Sequence, residues 1–349
     1  MSNNFVTGAI IGFGKMGLAH TAIINSFANS KIIAVCDDSK LINKGFNQFI
    51  KNINFYSNHL DMLKNEKIDF VFITTPPNTH IPLALDCLRY NKHFFIEKPL
   101  SINSKNAEPL LNKLNEENNL VSMVGYMMRF VPSFIKGKQI IEDKALGEIF
   151  NFNSTIYVSQ LFKKGKGWRY DKKVSGGGVI NSQAAHLVDL ISWYFDYPNS
   201  INANLRNVYS GDNEDFGHIT FNWKNKLFGS LDSSWSVYNY RMLETKIIIN
   251  AEKGYLEIND DTVKLFLDKP SMNYKKGWTI IRKPEIEKEV SIDLGGSHYT
   301  RQDEYFINSI IQQKQVMNDV KNAYKIQKII DAIYYSSKNN NTSVKIKYE

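Results

Sequence analysis

The sequence predicts an α/β domain built on a doubly wound parallel sheet, followed by an α+β domain with a large, mostly antiparallel, open-faced sheet. Three observations carry this expectation. Short, nearly continuous apolar runs alternate with helical patterns up to about residue 125, the pattern of a parallel sheet covered on both faces. The first run opens into Gly12-Phe13-Gly14-Lys15-Met16-Gly17 and then a helix. From residue 126 onward the runs lengthen and alternate in polarity, as strands with one face on a core do.

The glycine turn is the first functional signal. In G-x-G-x-x-G, Gly12 permits the tight turn, Gly14 lets the backbone approach a pyrophosphate, and Gly17 lets the helix pack closely on the sheet. The helix N-terminus offers N–H groups and partial positive charge to phosphates, so Phe13, Lys15 and Met16 belong to the same cradle. A helix is expected over residues 15–27, with Met16, Ala19, Ile23 and Phe27 toward the sheet. The next apolar run, Lys31–Cys36, ends in Asp37. A carboxylate at that distance from the glycines accepts adenosine ribose hydroxyls and repels a 2′-phosphate, which favours NAD over NADP. Taken alone, Asp37 is equally an acid that starts a turn. Ser39 and Lys40 keep a phosphate, and hence NADP, open.

The run Asp69–Thr75 is expected as a buried strand ending at Thr75-Pro76-Pro77-Asn78-Thr79-His80. Two prolines stop it and fix the loop at its carboxyl end, where open α/β sheets bind ligands. Thr75, Pro76, Asn78 and His80 are therefore further candidates for cofactor contact. A helix over 81–90, a strand His93–Ile96, a helix Ser104–Asn118 containing Pro109, and a strand Leu120–Val124 complete a domain over residues 1–125. Glu97-Lys98-Pro99 closes the His93 strand. A lysine desolvated at a strand end can serve acid–base chemistry; the commoner situation is a lysine snorkelling to water. Glu97 can pair with Lys98 or bind ribose.

Residues 126–349 form the expected second domain. A loop and helix over 126–144 precede strands near 147–159, 201–209, 216–223, 226–235, 245–251, 254–258 and 263–267. Two helices within 301–338 divide near 314–318. Helices are expected on one face of this sheet, leaving the other to water or a second subunit. The stretch Ser175-Gly176-Gly177-Gly178 leads into a helical pattern that carries Ser182, Gln183, His186, Asp189 and Trp193. At helical spacing, Ser182, His186, Asp189 and Trp193 share a polar stripe, opposite Leu187, Leu190, Ile191 and Tyr194. Upstream, Lys163-Lys164-Gly165-Lys166-Gly167-Trp168-Arg169 is either a solvated loop or positive charge gathered for a phosphate or carboxylate. Arg129 allows the same anionic role, or an interdomain salt bridge.

Bulk properties narrow the classes. The chain has 349 residues, 43% of them hydrophobic, and a formal net charge of +8; its mean hydropathy is −0.34. That length exceeds what one core usually supports. No apolar run approaches the roughly 20 residues of a membrane helix, and Met1–Asn4 does not open a signal peptide. The two cysteines, Cys36 and Cys87, suit reduced core thiols in a cytoplasmic protein. The basic residues are scattered and carry no nucleic-acid motif. Zinc spacings, a nucleophile elbow and a Walker lysine are absent from the sequence.

The residues already named resemble the Gfo/Idh/MocA oxidoreductases, the glucose–fructose oxidoreductase and inositol dehydrogenase family. The resemblance rests on Gly12–Gly17, Thr75–His80, Glu97-Lys98-Pro99, Gly147-Glu148-Ile149, Trp168-Arg169, the triple glycine with His186 and Asp189, and the closing stretch 332–346. It implies a Rossmann domain holding NAD or NADP and hydride transfer at a CH–OH group of a sugar, cyclitol or nucleotide sugar. It implies Lys98 and His186 as acid–base and substrate-hydroxyl residues, a substrate site drawing on Arg129, Trp168, Arg169, Ser182 and Gln183, and homodimers or homotetramers built through the open sheet. Many members carry an aspartate four residues before the histidine, where this chain has Ser182. A serine supplies no carboxylate. Two other readings therefore stand beside a dehydrogenase: a non-catalytic dinucleotide or sugar sensor, and a glycosidase using tightly held NAD.

Overall fold

Six parallel strands run in the order β3-β2-β1-β4-β5-β6, the arrangement of a dinucleotide-binding doubly wound sheet. They are β1 (Val6–Ile11), β2 (Ser30–Cys36), β3 (Asn54–Tyr56), β4 (Phe70–Ile73), β5 (His93–Ile96) and β6 (Ser122–Val124). The computed structural model describes residues 5–39, 45, 52–116 and 120–348. Lys40, Met1–Asn4 and the end of the helix expected to reach Asn118 lie outside the described residues. The chain divides into two compact units, Met1–Met127 with Glu289–Tyr324, and Met128–Lys288 with Lys325–Glu349.

The first unit differs from the domain expected at 1–125 in taking up residues 289–324. The physical reason is a shared core. The helix Ser297–Gln312 packs on the helix Lys15–Ile24 and inserts Phe306 among strand aromatics. Phe72 and Phe95 stack at 4.4 Å, and Phe306 meets Phe72 edge-on at 5.3 Å and Phe95 at 5.9 Å. Asn318 Nδ2 donates to the Val124 carbonyl at 2.7 Å, closing the β6 edge. The glycine-turn helix ends at Ile24 rather than Phe27, and its buried residues are Gly17, His20, Thr21, Ile23 and Ile24. Its inner face is therefore rotated from the expected Met16–Ala19–Ile23–Phe27 line, because His20 finds carboxylate partners inside and Thr21 bonds back to the Gly17 carbonyl of its own helix.

The second unit is a nine-stranded sheet in the order β14-β13-β12-β11-β7-β10-β9-β8-β15. Its strands are β7 (Ile149–Tyr157), β8 (Ser200–Arg206), β9 (Phe216–Asn222), β10 (Phe228–Ser234), β11 (Glu244–Ala251), β12 (Gly254–Asn259), β13 (Thr262–Leu267), β14 (Gly277–Arg282) and β15 (Val344–Lys345). Every pairing is antiparallel except β7 with β10. Alternation sets the faces: Phe152, Ile219, Phe221, Leu231, Ile247 and Ile258 are buried. The opposite face carries cross-strand polar pairs, including Ser230 Oγ with Asn153 Oδ1 at 3.0 Å and His218 Nδ1 with Asp232 Oδ1 at 2.8 Å. Aromatic side chains interrupt it, with Trp278 and Phe228 more than half exposed. The helices Pro132–Glu142 and Ala185–Phe195 lie on the buried face, joined where Tyr194 OH donates to the Phe134 carbonyl at 2.7 Å.

The triple glycine is explained by this packing. A Cβ on Gly177 would stand 1.8 Å from Tyr334 OH, and one on Gly178 would stand 2.2 Å from the backbone oxygen of Glu214. Gly178→Ala forces backbone rather than a flexible side chain to move. It is expected to destabilise the protein by about 1–3 kcal/mol or more, read as a lower urea midpoint at unchanged slope.

Candidate active site

In the first unit the cofactor elements meet at the carboxyl ends of β1, β2, β4 and β5. Gly12 takes φ +93°, which a side chain disfavours, and a Cβ there would meet Thr75 Cγ2 at 2.7 Å. Its N–H donates to the Cys36 carbonyl at 2.8 Å, tying the turn to β2. A Cβ on Gly17 would lie 2.1 Å from the Gly12 carbonyl oxygen, so the helix can sit this close only with glycine. A Cβ on Gly14, by contrast, would meet nothing within 4 Å. Gly14 is also the N-cap, with no side-chain cap and no acid in the first turn. Open space, uncapped helix N–H groups and exposed Lys15 fit a pyrophosphate. Asp37 stands beside this turn: Phe13 N–H donates to its Oδ2 at 2.6 Å and Ser39 N–H to its Oδ1 at 2.9 Å. The dinucleotide fits these residues.

The second wall is the loop after β4 and the turn after β5. Pro77–Thr79 forms one tight helical turn that leaves Asn78 exposed. Thr79 Oγ1 lies 2.7 Å from both Thr75 Oγ1 and the Pro76 carbonyl, which stiffens the loop. His80 is buried, with Nδ1 2.9 Å from the Pro99 carbonyl and Nε2 2.8 Å from the Thr75 carbonyl. Burial lowers its pKa, and the two carbonyls only partly offset that. Its ring thus joins the loop to the Glu97-Lys98-Pro99 turn, instead of presenting itself at the surface where a cofactor contact was expected. Glu97 is engaged too: its Oε1 lies 3.0 Å from His20 Nε2, and its Oε2 accepts the Lys98 N–H at 3.1 Å. Lys98 is half-buried, and its peptide bond to Pro99 is cis.

In the second unit the expected single helix through Ser182 and His186 begins differently. Residues Ile180–Ala184 form a π-helical turn, closed by the Ala185 N–H to the Ile180 carbonyl, before the α-helix Ala185–Phe195. The wider turn inserts a residue, so Ser182 does not share plain α-helical register with His186. Ser182 and Gln183 are half-buried and His186 is buried. The Gln183 Oε1 atom is buried without a protein partner, a polar atom available to a ligand.

Asp189 and Arg129 form a fork: Arg129 Nε donates to Oδ2 at 2.8 Å and Nη2 to Oδ1 at 2.6 Å. Both are buried. Burial pushes the Asp189 carboxyl up, against the pull of Arg129. This pair lies within the second unit, so it is not an interdomain bridge, and it places the Arg129 charge on Asp189. Trp168 and Arg169 start a short turn and are exposed, with Arg169 Cζ 5.4 Å over the indole.

Sequence reading missed the hub that supports these elements, Asn213-Glu214-Asp215, all buried. Asn213 Nδ2 donates to the Arg169 carbonyl at 2.7 Å. Glu214 Oε1 accepts from Gly178 N–H at 2.8 Å, Ile180 N–H at 3.0 Å and Tyr334 OH at 2.8 Å. Asp215 takes the N–H groups of Val208 and Tyr209 at 2.7 Å, the Trp235 indole N–H at 2.9 Å, and the Ser210 hydroxyl. Burial would raise its pKa, but these donors outweigh it and hold the carboxyl below the usual range. The available signal was two adjacent acids entering an apolar strand.

Residues 6–126 match the oxidoreductase family with an NAD-binding Rossmann fold, GFO_IDH_MocA, and residues 134–257 match the GFO/IDH/MocA C-terminal domain. The chain belongs to the Gfo/Idh/MocA oxidoreductase family. It is an NAD-dependent oxidoreductase with the two-sheet fold expected from its sequence. Oxidoreductase P35 of Formosa agariphila is 25% identical over 303 residues, 81% of this chain and 91% of that protein. The levoglucosan dehydrogenase of Pseudarthrobacter phenanthrenivorans is 26% identical over 154 residues, 44% of this chain and 39% of its own length. Among solved structures, a levoglucosan dehydrogenase in complex with NADH and L-sorbose superposes with a TM-score of 0.87 at 20% identity, covering 98% of this chain and 99% of the other. An oxidoreductase domain protein from Kribbella flavida gives 0.86 at 18% identity, covering 99% and 100%. Among the described residues, no helix is long and apolar enough to cross a membrane.

The contrast between two glycines checks the cradle. Gly14→Ala meets open space and keeps an allowed φ of −75°, so stability falls by no more than about 1 kcal/mol, the cost of a poorer N-cap. NADH affinity, followed by its fluorescence, is expected to fall about tenfold or more as the methyl enters the pyrophosphate path.

Proposed function

We propose that this protein is an NAD-dependent dehydrogenase that oxidises a secondary alcohol of a sugar, cyclitol or nucleotide sugar, or reduces the corresponding ketone. The observation that carries the reading is Lys98 at the carboxyl end of β5, in the same unit as the open glycine turn, with both neighbours in sequence held by buried histidines. The sugar class is supported by the name levoglucosan dehydrogenase, carried both by a sequence relative and by a solved structure with this fold.

NAD, when bound, supplies the hydride acceptor. Gly12–Gly17 and the first N–H groups of the following helix hold the pyrophosphate. Asp37 accepts ribose hydroxyls, and its charge disfavours a 2′-phosphate. The loop Thr75–Asn78 lines the same edge, stiffened by Thr79 and His80. Lys98 Nζ takes the hydroxyl proton during oxidation and returns it in reduction, which requires a neutral amine at the start of the oxidative direction. His186 binds a substrate hydroxyl. Ser182 and Gln183 donate to or accept from neighbouring substrate hydroxyls, and the exposed Trp168 and Arg169 offer stacking and charge at the substrate's outer end. With serine at 182, that position gives the histidine no carboxylate, so Lys98 carries the proton transfer. Arg129 contributes by holding Asp189 rigid one helical turn after His186. The open face of the nine-stranded sheet, with Phe228 and Trp278 exposed, supports a homodimer or homotetramer. The cellular setting proposed is the cytoplasm, where both cysteines stay reduced.

Two substitutions test this reading. Lys98→Met is expected to keep NAD binding and lower turnover by about 10²–10⁴-fold, measured as NADH absorbance across a panel of sugars, anhydrosugars, inositols and nucleotide sugars. Undiminished turnover removes Lys98 from the chemistry; free sugar released without net NADH identifies the glycosidase, and NAD binding with no turnover on any panel member identifies the sensor. Asp37→Ala is expected to weaken NAD much more than NADP, and equal losses would take Asp37 away from the ribose.

A further inference from the structure

We propose that the buried pair His20–Asp303 positions the Lys98 turn, acting through the Glu97 carboxylate. The inference rests on the reading of Lys98 as the acid–base group. His20 sits on the helix Lys15–Ile24, one turn beyond the glycines, with no exposure to solvent. Its Nδ1 is 2.7 Å from Asp303 Oδ2 and its Nε2 3.0 Å from Glu97 Oε1. The other Glu97 oxygen accepts the backbone N–H of Lys98. One carboxylate thus spans the interval between the dinucleotide helix and the residue that carries the amine.

The cluster is costly as a stability device. Phe72 and Phe95 rings stand 5.1 and 5.3 Å from the imidazole, and an apolar side chain would fill this aromatic wall without desolvating charges. Burial opposes a proton on His20, yet the Asp303 and Glu97 carboxylates hold its pKa up at about 10. An imidazolium has two N–H donors fixed in one plane, aimed at two acceptors. A neutral ring has one, and would leave either Asp303 or Glu97 without its donor. Doubly donating His20 therefore fixes the direction of the Glu97 carboxylate, and Asp303 fixes His20. On the far side of Lys98, the Pro99 carbonyl is fixed by His80, so the turn is held at both ends by buried histidines.

The test uses the full chain and an internal reference. Lys92 lies at the opposite end of the same strand, with Nζ donating to the Ile68 carbonyl at 2.7 Å. Trace acetylation with acetic anhydride, read by mass spectrometry, reports the reactivity of Lys98 relative to Lys92. In His20→Gln, and in Asp303→Asn should the first not fold, the Lys98-to-Lys92 ratio is expected to change by about threefold or more. In the same variants kcat for the alcohol found in the panel should fall by roughly tenfold to a hundredfold, the scale of a small misplacement of a reacting group, while KM for NAD moves by less than about threefold. A labelling ratio and kcat both within about twofold of wild type would overturn the proposal. So would equal rises at Lys98 and Lys92, which mark a loosened domain. The labelling ratio does not depend on the alcohol, so loss of the dehydrogenase reading through an active Lys98→Met leaves this test intact.

Discussion

A constraint on which the first unit depends lies between two backbones. Gly17 lies so near the Gly12 carbonyl oxygen that no side chain fits between them. That approach sets the depth at which the helix Lys15–Ile24 lies on the sheet, and two separate consequences follow from the one helix. Its first turn presents N–H groups at an uncapped end with space over Gly14. Its next turn delivers His20 into the core, beside Phe72 and Phe95. Were the helix raised by the width of a methyl, the phosphate cradle and the His20–Glu97 contact would both open. A glycine read as a cofactor signal is thus equally a condition for the His20–Glu97 contact.

The second unit uses the same device with other residues. Gly178 packs on the backbone of Glu214, whose carboxylate in turn accepts the N–H groups of Gly178 and Ile180. These are the groups at the entrance to the π-helical turn, which otherwise would lack partners. Asn213 and Asp215 on either side tie down Arg169 and the segment 208–210. This three-residue stretch therefore shapes the backbone that carries Trp168, Ser182 and His186. Burying two adjacent carboxylates is tolerable because each is surrounded by donors.

What was legible in the sequence followed from period and from glycine. Apolar runs ending in Asp37, Thr75 and Glu97 read as parallel strands, and alternation through Ile219, Phe221 and Leu231 read as a half-covered sheet; both are present. Strand β14 escaped notice because its large residues, Trp278 and Ile280, face outward and give no core signal. His20 escaped because a histidine on a core helix looks polar until its partners are known, and Asp303 stands 283 residues away. For the same reason residues 289–324 were expected in the second domain: chain order does not reveal a helix returning to an earlier sheet. His80 was named for cofactor contact and Arg129 for an anion or a salt bridge, and burial gives each of them a fixed partner inside its own unit.

Ser182 gains a physical context from this. An aspartate on an α-helix four residues before His186 would share its face, but here the turn is π-helical and the register is broken. A carboxylate at 182 would have to be desolvated in a half-buried place next to Gln183, whose own oxygen already lacks a protein partner. Serine avoids that cost and still offers a donor and an acceptor. The nearest buried carboxylate along the helix, Asp189, is held by both arms of Arg129. The negative charge that many members place four residues before the histidine is therefore not supplied by position 182. In the first unit the carboxylates of Glu97 and Asp303 lie on either side of His20, and Glu97 also accepts the Lys98 backbone N–H.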